Sequence, residues 1–419
     1  MNQESTSVAR RLFMKDSGLM IAGGAIGGAM AVGKAVHGGT GTTPLRIAFA
    51  GCGTRARTLA DTVLGLGPES VRLVGLADRQ GAQTQAMYRS LKGRFANAID
   101  ANCQRLSGDG AFESLLQGDA DLVYLATPPV YRPQQFRQAV KAGKHIFLEK
   151  PIAADVPGVL DCLQTAKLAR TAGLSVQVGF QRRYDPRYRD TIGRIHEGAI
   201  GTPIFARAFC NAGPIRNLIQ GTRESDQDFQ IRNWNHYQWT GGDFLIEQHV
   251  AGLDVIRWAL GQSPSVAQGQ GGWGQIDPAS TSAAVTRTGQ VFDHHSIEYQ
   301  FANGVVLLSQ CRRVAKAWNN TSEHLHGTLG RADLSAGKLF SHDGSLIWQS
   351  GHAGSLQTAT KTQQQALIDG IRHGDIDCQV ESAAESTLFA MLGHQATRTG
   401  KRVRWERMLS EASQTNDAV

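Results

Sequence analysis

Residues 44–56 read PLRIAFAGCGTRA, an apolar run of strand length that leads into a glycine-containing turn. The turn matches the pattern G-x-G-x-x-G/A, with Gly51 and Gly53 at the first two defining positions and alanine at the third. The first glycine permits a sharp turn, and the second lets a pyrophosphate approach the backbone. The helix that follows directs its N–H groups and positive dipole end at that anion. We therefore predict a dinucleotide site, with Thr54 and Arg55 beside the phosphates.

An acidic residue closes the next apolar run. Residues 71–77 read VRLVGLA and are followed by Asp78 and Arg79. An acid about 20 positions beyond the glycines accepts hydrogen bonds from a ribose hydroxyl and repels the 2′-phosphate of NADP. The sequence therefore predicts NAD as the cofactor. NADP stays open, because Arg79 could instead hold that phosphate.

Two more apolar runs end in short polar or proline-containing segments. Residues 120–126 are followed by Thr127 and Pro128, and a run beginning at Lys144 ends in Glu149-Lys150-Pro151. Strand-length runs that alternate with helices predict a parallel, doubly wound α/β sheet, the Rossmann fold. Ligands of such sheets bind beyond the carboxyl ends of the strands. We therefore expect Asp78, Thr127, Pro128, Glu149 and Lys150 at the cofactor.

The second half of the chain has a different pattern. Segments 204–209, 295–301 and 305–310 read as longer strands, and Asn303-Gly304 reads as the turn of a hairpin. This pattern predicts an α+β domain with an open, largely antiparallel sheet. The predicted boundaries are 1–43 for a signal and linker, 44–173 for the Rossmann domain, 174–362 for the substrate and oligomerisation domain, 363–409 for C-terminal helices that return to the Rossmann domain, and 410–419 for a tail.

The N-terminus resembles a twin-arginine export signal. Arg10-Arg11 is followed by a Gly/Ala-rich apolar run over residues 19–32, which is too short and too rich in glycine for a membrane span. The twin-arginine pathway exports proteins that are already folded. We therefore expect a periplasmic or otherwise exported protein.

Composition excludes several other classes of protein. The 43 Lys and Arg residues exceed the 36 Asp and Glu residues by 7, but they are scattered rather than clustered, so we expect no nucleic-acid partner. The six cysteines show no metal-finger spacing, and the histidine pairs have no third ligand at a defined spacing. We therefore predict no metal site.

The combination Gly51-x-Gly53, Ala126-Thr127-Pro128 and Glu149-Lys150-Pro151 resembles the glucose-fructose oxidoreductase / inositol dehydrogenase / MocA (Gfo/Idh/MocA) family. The resemblance covers the chain from about Leu45 to Glu406. It implies that Lys150 reaches both the nicotinamide and a substrate hydroxyl. It also implies that the open sheet forms subunit contacts, so that the protein is a homo-oligomer.

One position departs from the family pattern. Family members carry an acid, then a histidine four residues on, then an acid three residues further on. These positions fall on Glu247, Ala251 and Asp254, so alanine stands where the general base is expected. Imidazole is suited to take a hydroxyl proton near neutral pH, and alanine cannot do so.

Several residues could replace the missing imidazole. His249 lies about 200° from Glu247 on a regular helix, so its use as the base requires an irregular helix start. Lys150, Glu247, His236 or Tyr237 are the other candidates. A third explanation is that the protein has little dehydrogenase activity. The predicted catalytic residues are Lys150, Glu247 and His249.

Aromatic and polar side chains near this segment suit a sugar. Tryptophan and tyrosine stack on sugar rings, and arginine holds hydroxyls or carboxylates. The predicted substrate contacts are Arg182, Tyr184, Trp234, His236, Tyr237 and Asp254.

We therefore expect an exported NAD(P)-dependent oxidoreductase that acts on a hydroxyl of a sugar or polyol and retains its cofactor. Two alternatives stay open. One is a glycosidase that uses NAD in an oxidation-elimination cycle. The other is a catalytically impaired sugar-binding homologue, because of Ala251.

Overall fold

A computed structural model describes residues 43–274 and 289–416. The predicted export signal, with Arg10 and Arg11, lies outside these residues. Within them, no helix combines the length and the apolar composition that a membrane crossing requires.

The first sheet is parallel and has six strands in the order β3-β2-β1-β4-β5-β6. Its central strands are almost wholly apolar and buried, as expected for a sheet with helices on both faces. The order reverses between β1 and β4, so the carboxyl ends of these strands flank a crevice suited to a dinucleotide. The strands are β1 Leu45–Ala50, β2 Val71–Asp78, β3 Ile99–Ser107, β4 Leu122–Leu125, β5 His145–Leu148 and β6 Val176–Val178.

Five helices connect these strands. They present apolar faces to the sheet, as Leu59 and Val63 do from the first helix. The helices are α1 Thr54–Leu64, α2 Gly81–Phe95, α3 Ala111–Leu116, α4 Arg132–Lys141 and α5 Val156–Thr171.

The second sheet has nine strands in the order β14-β13-β12-β11-β7-β10-β9-β8-β15. All of its neighbouring pairs are antiparallel except β7 with β10. The predicted combination of a Rossmann sheet with an open, largely antiparallel sheet is confirmed. The strands are β7 Pro203–Ala212, β8 Val266–Gly272, β9 His294–Gln300, β10 Val306–Arg313, β11 Asn320–Gly327, β12 Arg331–Asp333, β13 Lys338–Phe340, β14 Leu346–Gln349 and β15 Val403–Arg404.

Seven further helices accompany the second sheet and the C-terminus. They are α6 Pro186–His196, α7 Asp226–Arg232, α8 Gln238–Gly241, α9 Val250–Leu260, α10 Leu356–His373, α11 Val380–Thr399 and α12 Trp405–Asn416. Helix α10 adds Leu367, Ile368 and Ile371 to the core around β1 and β2. Helix α12 includes residues 410–416, which we predicted to be part of a tail.

Candidate active site

The glycine turn has the geometry that a pyrophosphate requires. Gly51 has a φ of +85°, and a Cβ placed there would lie 2.8 Å from the carbonyl carbon of Ala126, so only glycine fits. At Gly53, an added Cβ would meet no heavy atom within 4 Å among the described residues. Gly53 also precedes α1, and no described side chain caps the first turn of this helix. The space over Gly53 is therefore open and faces free N–H groups.

Asp78 stabilises the same turn from the end of β2. Its Oδ2 accepts a hydrogen bond of 2.7 Å from the backbone N–H of Cys52, and its Oδ1 accepts one of 2.8 Å from Gln80 N–H. Each carboxylate oxygen keeps a further acceptor position. Asp78 can therefore hold the loop and accept a ribose hydroxyl at the same time.

Arg79 is engaged by two carboxylates. Its Nε lies 3.2 Å from Asp109 Oδ1, and its Nη2 lies 2.8 Å from Asp228 Oδ1. Asp109 follows β3, whereas Asp228 belongs to α7 in the second half of the chain. The guanidinium that we considered as a phosphate ligand is thus already paired.

Glu149 and Lys150 have different surroundings, although they are neighbours. Glu149 is 2% exposed, and its Oε1 accepts a hydrogen bond of 2.6 Å from Arg55 Nε. Its other oxygen accepts one of 3.1 Å from the backbone N–H of Lys150. Glu149 thus links Arg55 in the glycine turn to the Lys150 backbone. Its direct contact with the cofactor stays a prediction.

Arg132 at the start of α4 is a residue that the sequence analysis missed. It is 4% exposed, and it donates hydrogen bonds to the carbonyls of Thr127 at 2.9 Å, Glu149 at 3.2 Å and Pro151 at 2.5 Å. Burial lowers the pKa of its guanidinium to about 10, although the negative charges of Glu149 and Glu247 act to raise this pKa. A cation in the first turn of a helix is unfavourable, because it lies at the positive end of the helix dipole. This unfavourable position was the signal in the sequence that Arg132 has a specific partner. Arg132 joins the two loops predicted to hold the nicotinamide.

Lys150 forms an ion pair with Glu247. Its Nζ lies 3.2 Å from Glu247 Oε1 and also donates to the backbone carbonyl of Glu247. Both side chains are 15% exposed. Burial would raise the pKa of Glu247, but the Lys150 charge, with a hydrogen bond from Gln248, holds that pKa below its ordinary value. The structure thus brings together an ammonium group and a carboxylate that keep some access to solvent.

The segment that carries Glu247 begins irregularly. Residues 245–249 form a π-helical turn that precedes α9, which is the irregular start that a catalytic His249 required. The turn nevertheless directs His249 into the core, where it is fully buried and its Nε2 lies 2.8 Å from Ser309 Oγ. Burial lowers its pKa to about 3. The burial of His249 and its contact with Ser309 favour a packing role. Its predicted catalytic role stays a prediction.

Replacing His249 with glutamine should make the free energy of unfolding less sensitive to acid. The pKa of His249 is about 3 in the folded state and 6.5 ordinarily, so between these values the unfolded chain binds more protons and acid favours unfolding. We expect the free energy of unfolding of the wild type to fall more steeply below pH 6.5 than that of the variant, by up to about 1.4 kcal/mol per pH unit. Urea titrations at several pH values measure both slopes. Parallel curves would show that His249 is protonated in the folded protein.

Two other predicted substrate residues are engaged by structural partners. Asp254 is fully buried, and its carboxylate accepts hydrogen bonds of 2.7 and 2.9 Å from Arg183 and one of 2.6 Å from Ser386. Arg182 forms an ion pair with the buried Glu323. Asp254 therefore holds elements of the fold together, and its contact with substrate stays a prediction.

The remaining predicted substrate residues lie in two places. The Tyr184 hydroxyl accepts hydrogen bonds from Gln177 at 2.9 Å and Gln379 at 2.6 Å, and so faces the C-terminal helices. Trp234, His236 and Tyr237 are half-buried and precede α8, which packs beside residues 129–131 at the end of β4. Only this second group lies near the loops that we predict to hold the cofactor.

A buried carboxylate fixes the start of the π-helical turn. Asp243 Oδ1 accepts a hydrogen bond of 3.1 Å from Leu245 N–H and lies 3.0 Å from His295 Nε2, while its Oδ2 lies 3.5 Å from His394 Nε2. Burial would raise the pKa of Asp243, but the two histidines hold it below its ordinary value. Sequence reasoning missed this cluster, because its members belong to three separate elements and share no motif. Among the described residues no group of three or more His, Cys, Asp or Glu side chains could hold a metal ion.

The residues at the carboxyl edge of the first sheet fit a dinucleotide. The open space over Gly53 suits a pyrophosphate, and Asp78 suits a ribose. Thr127 and Lys150 follow β4 and β5, which are neighbours on one side of the crevice. The cofactor contacts predicted for these residues stay predictions.

Comparison with known proteins points to the same site. Residues 45–180 match the family model described as oxidoreductase family, NAD-binding Rossmann fold (GFO_IDH_MocA). The chain is 28% identical over 192 residues to scyllo-inositol 2-dehydrogenase (NAD(+)) of Bacillus subtilis. The aligned residues make up 46% of this chain and 50% of that relative. It is 24% identical over 294 residues to inositol 2-dehydrogenase of Rhizobium meliloti. These residues make up 68% of this chain and 74% of that relative. A second Bacillus subtilis relative, the uncharacterized oxidoreductase YrbE, is 24% identical over 214 residues. The chain spans about half the length of these two relatives, 55% of YrbE and 50% of the scyllo-inositol 2-dehydrogenase.

Solved structures share the complete fold. The scyllo-inositol dehydrogenase of Lactobacillus casei, solved with bound NAD(H) and scyllo-inositol, superposes with a TM-score of 0.65 at 19% identity over 87% of this chain and 100% of that chain. At this identity the likeness shows the fold. The protein therefore shares the two-domain fold of these dehydrogenase structures, and its residues 45–180 match the model of the NAD-binding Rossmann fold of the Gfo/Idh/MocA oxidoreductase family.

Proposed function

We propose that the protein is an NAD-dependent oxidoreductase that acts on a hydroxyl of a sugar or polyol. The observation that carries the proposal is the Lys150–Glu247 pair, which lies where β5 ends at the carboxyl edge of the dinucleotide-binding sheet. The scyllo-inositol dehydrogenase and inositol 2-dehydrogenase relatives support a polyol as the substrate class.

The pair supplies the proton handling that hydroxyl oxidation needs. A bound nicotinamide would accept the hydride that leaves the carbinol carbon. Lys150 would donate a hydrogen bond to the substrate oxygen, and Glu247, held as a carboxylate by Lys150 and Gln248, would accept the hydroxyl proton. The half-buried Trp234 and Tyr237 would form an apolar wall for a sugar ring.

The test is turnover by the purified protein with NAD and a panel of inositols, aldoses and sugar alcohols. We expect NADH formation with at least one polyol and none without substrate. Absence of both NAD binding and turnover across the panel would refute the proposal.

Replacing Ala251 with histidine should increase kcat. Ala251 is partly exposed in the first turn of α9, one turn beyond Glu247, so an imidazole there adds a general base beside the pair. We expect a gain of about a hundredfold, the lower end of the range for a positioned acid–base group. The matched control is Ala251→Gln, which adds similar bulk without a titrating group and should give no gain. Absence of turnover by Ala251→His on every polyol of the panel would favour a non-catalytic sugar-binding role.

We also propose that the protein is exported with its cofactor bound. The Arg10-Arg11 segment supports export of the folded chain, and an exported enzyme has no cytosolic NAD pool to draw on. Mass spectrometry of the natively purified protein should find one dinucleotide per chain. Recovery of nucleotide-free protein would contradict retention.

A homo-oligomer formed through the open sheet is a further part of the proposal. The outer face of this sheet carries Leu308, which is 45% exposed, and the half-buried Phe205 and Phe209 of the neighbouring strand β7. Burying such side chains against a second copy is favourable. Light scattering should give a mass above that of one chain.

A further inference from the structure

We propose that Asp228, a residue of the second half of the chain, determines the preference for NAD over NADP. It does so by occupying Arg79 at the edge of the nucleotide site. This inference rests on the proposed function, because it concerns the dinucleotide that the first domain would bind.

Arg79 lies where a 2′-phosphate would be recognised. It directly follows Asp78, the last residue of β2, whose carboxylate faces the glycine turn. In dinucleotide-binding sheets this strand end is the place where the adenosine ribose is read. An arginine at that end is the usual means of accommodating a 2′-phosphate, because its planar guanidinium donates two parallel hydrogen bonds to phosphate oxygens.

The guanidinium of Arg79 is instead directed at two carboxylates. Its Nε lies 3.2 Å from Asp109 Oδ1, and its Nη2 lies 2.8 Å from Asp228 Oδ1. A 2′-phosphate would have to displace these acids and would then face their negative charge. A ribose hydroxyl has no such cost, because it needs only the free acceptor positions of Asp78.

Asp228 is held in position for this contact. It lies in the first turn of α7, and Ser225, which caps that helix, accepts a hydrogen bond of 3.1 Å from Asp228 N–H. The Ser225 hydroxyl also donates a hydrogen bond of 2.7 Å to Asp228 Oδ2. The other oxygen, Oδ1, is the one that meets Arg79. The cap therefore fixes the carboxylate with one oxygen directed at the guanidinium.

The experiment compares the dissociation constants of NAD and NADP for the wild type and for Asp228→Asn, measured by titration calorimetry on the full chain. We expect the variant to bind NADP about tenfold more tightly, because Nη2 of Arg79 loses its charged partner and can form a charge-assisted contact with the 2′-phosphate while Asp109 keeps Nε. The affinity for NAD should change by less than about twofold, since the pair is solvent-exposed. Adding Arg79→Ala to the variant should abolish the gain.

The matched control is Asp226→Asn, which removes the same charge two residues away. Asp226 accepts a hydrogen bond of 2.9 Å from Gln220 rather than contacting Arg79. Asp226→Asn should leave the ratio of the NADP and NAD dissociation constants at the wild-type value. The effect of Asp228→Asn should also shrink as salt is added, because exposed charges are screened.

The outcomes separate this inference from the function on which it rests. If the wild type binds neither dinucleotide, both the proposed function and this inference fail. If the wild type binds NAD and Asp228→Asn leaves the ratio unchanged, or Asp226→Asn shifts it equally, then the inference alone is wrong.

Discussion

Replacing Lys150 with methionine should lower kcat for the polyol substrate by about 10²- to 10⁴-fold, the range for loss of a positioned acid–base group. Methionine keeps most of the apolar stem but removes the ammonium group that contacts Glu247 at 3.2 Å. It therefore removes the hydrogen bond to the substrate oxygen and the charge that keeps Glu247 ionised. Steady-state kinetics with the best polyol of the panel measure the effect.

Two controls define the role of Lys150. Calorimetric titration should show that the affinity for NAD falls much less than kcat, because Lys150 is predicted to contact the nicotinamide but not the pyrophosphate or the ribose. Glu247→Gln removes only the proton acceptor, so it should also lower kcat and should flatten the acid side of the pH–rate profile. A Lys150→Met variant with wild-type kcat would show that the pair is structural.

Replacing Arg132 with methionine should lower the free energy of unfolding by about 3 to 5 kcal/mol, the cost of breaking a buried charged network. The guanidinium donates to the carbonyls of Thr127, Glu149 and Pro151, and all three lose a partner when it is removed. Buried acceptors without partners are costly because they have also given up water. Urea unfolding followed by circular dichroism measures the change.

The same helix provides a matched control for Arg132. Arg137 forms an ion pair with Asp161 at the surface, where its side chain is 47% exposed. Arg137→Met should change the stability by less than about 1 kcal/mol, as expected for an exposed pair. If Arg132→Met lowers the free energy of unfolding no more than Arg137→Met does, then Arg132 does not stabilise the two loops.

The sequence predicted the fold because the required signals are local. The strand that ends at Ala50, the turn at Gly51 and the helix that follows are contiguous, and each is determined by residues within a few positions. The acid at the end of β2 and the lysine at the end of β5 were predicted at the correct edge of the sheet, since parallel strands place their carboxyl ends together. The roles that we assigned to the residues at this edge stay predictions.

The side chains that support the site could not be predicted in this way. His249 and Asp254 lie beside Glu247 in the sequence, yet a π-helical turn and the packing of α9 on the second sheet bury both of them. Arg132 finds acceptors in two different loops, and Asp243 finds His295 52 residues away. Which partner a buried polar group meets depends on how distant segments pack.

The sequence by itself thus determined the Rossmann domain, the glycine turn, the acid at β2 and the missing histidine at Ala251, because a motif is a property of neighbouring residues. Only the tertiary structure decided that Lys150 pairs with Glu247, that His249 is buried, and that Asp228 reaches Arg79 from the other half of the chain. The reason is physical: charged and polar side chains are stabilised by whichever groups the packing of distant elements brings within about 3 Å of them, and no local pattern records that distance.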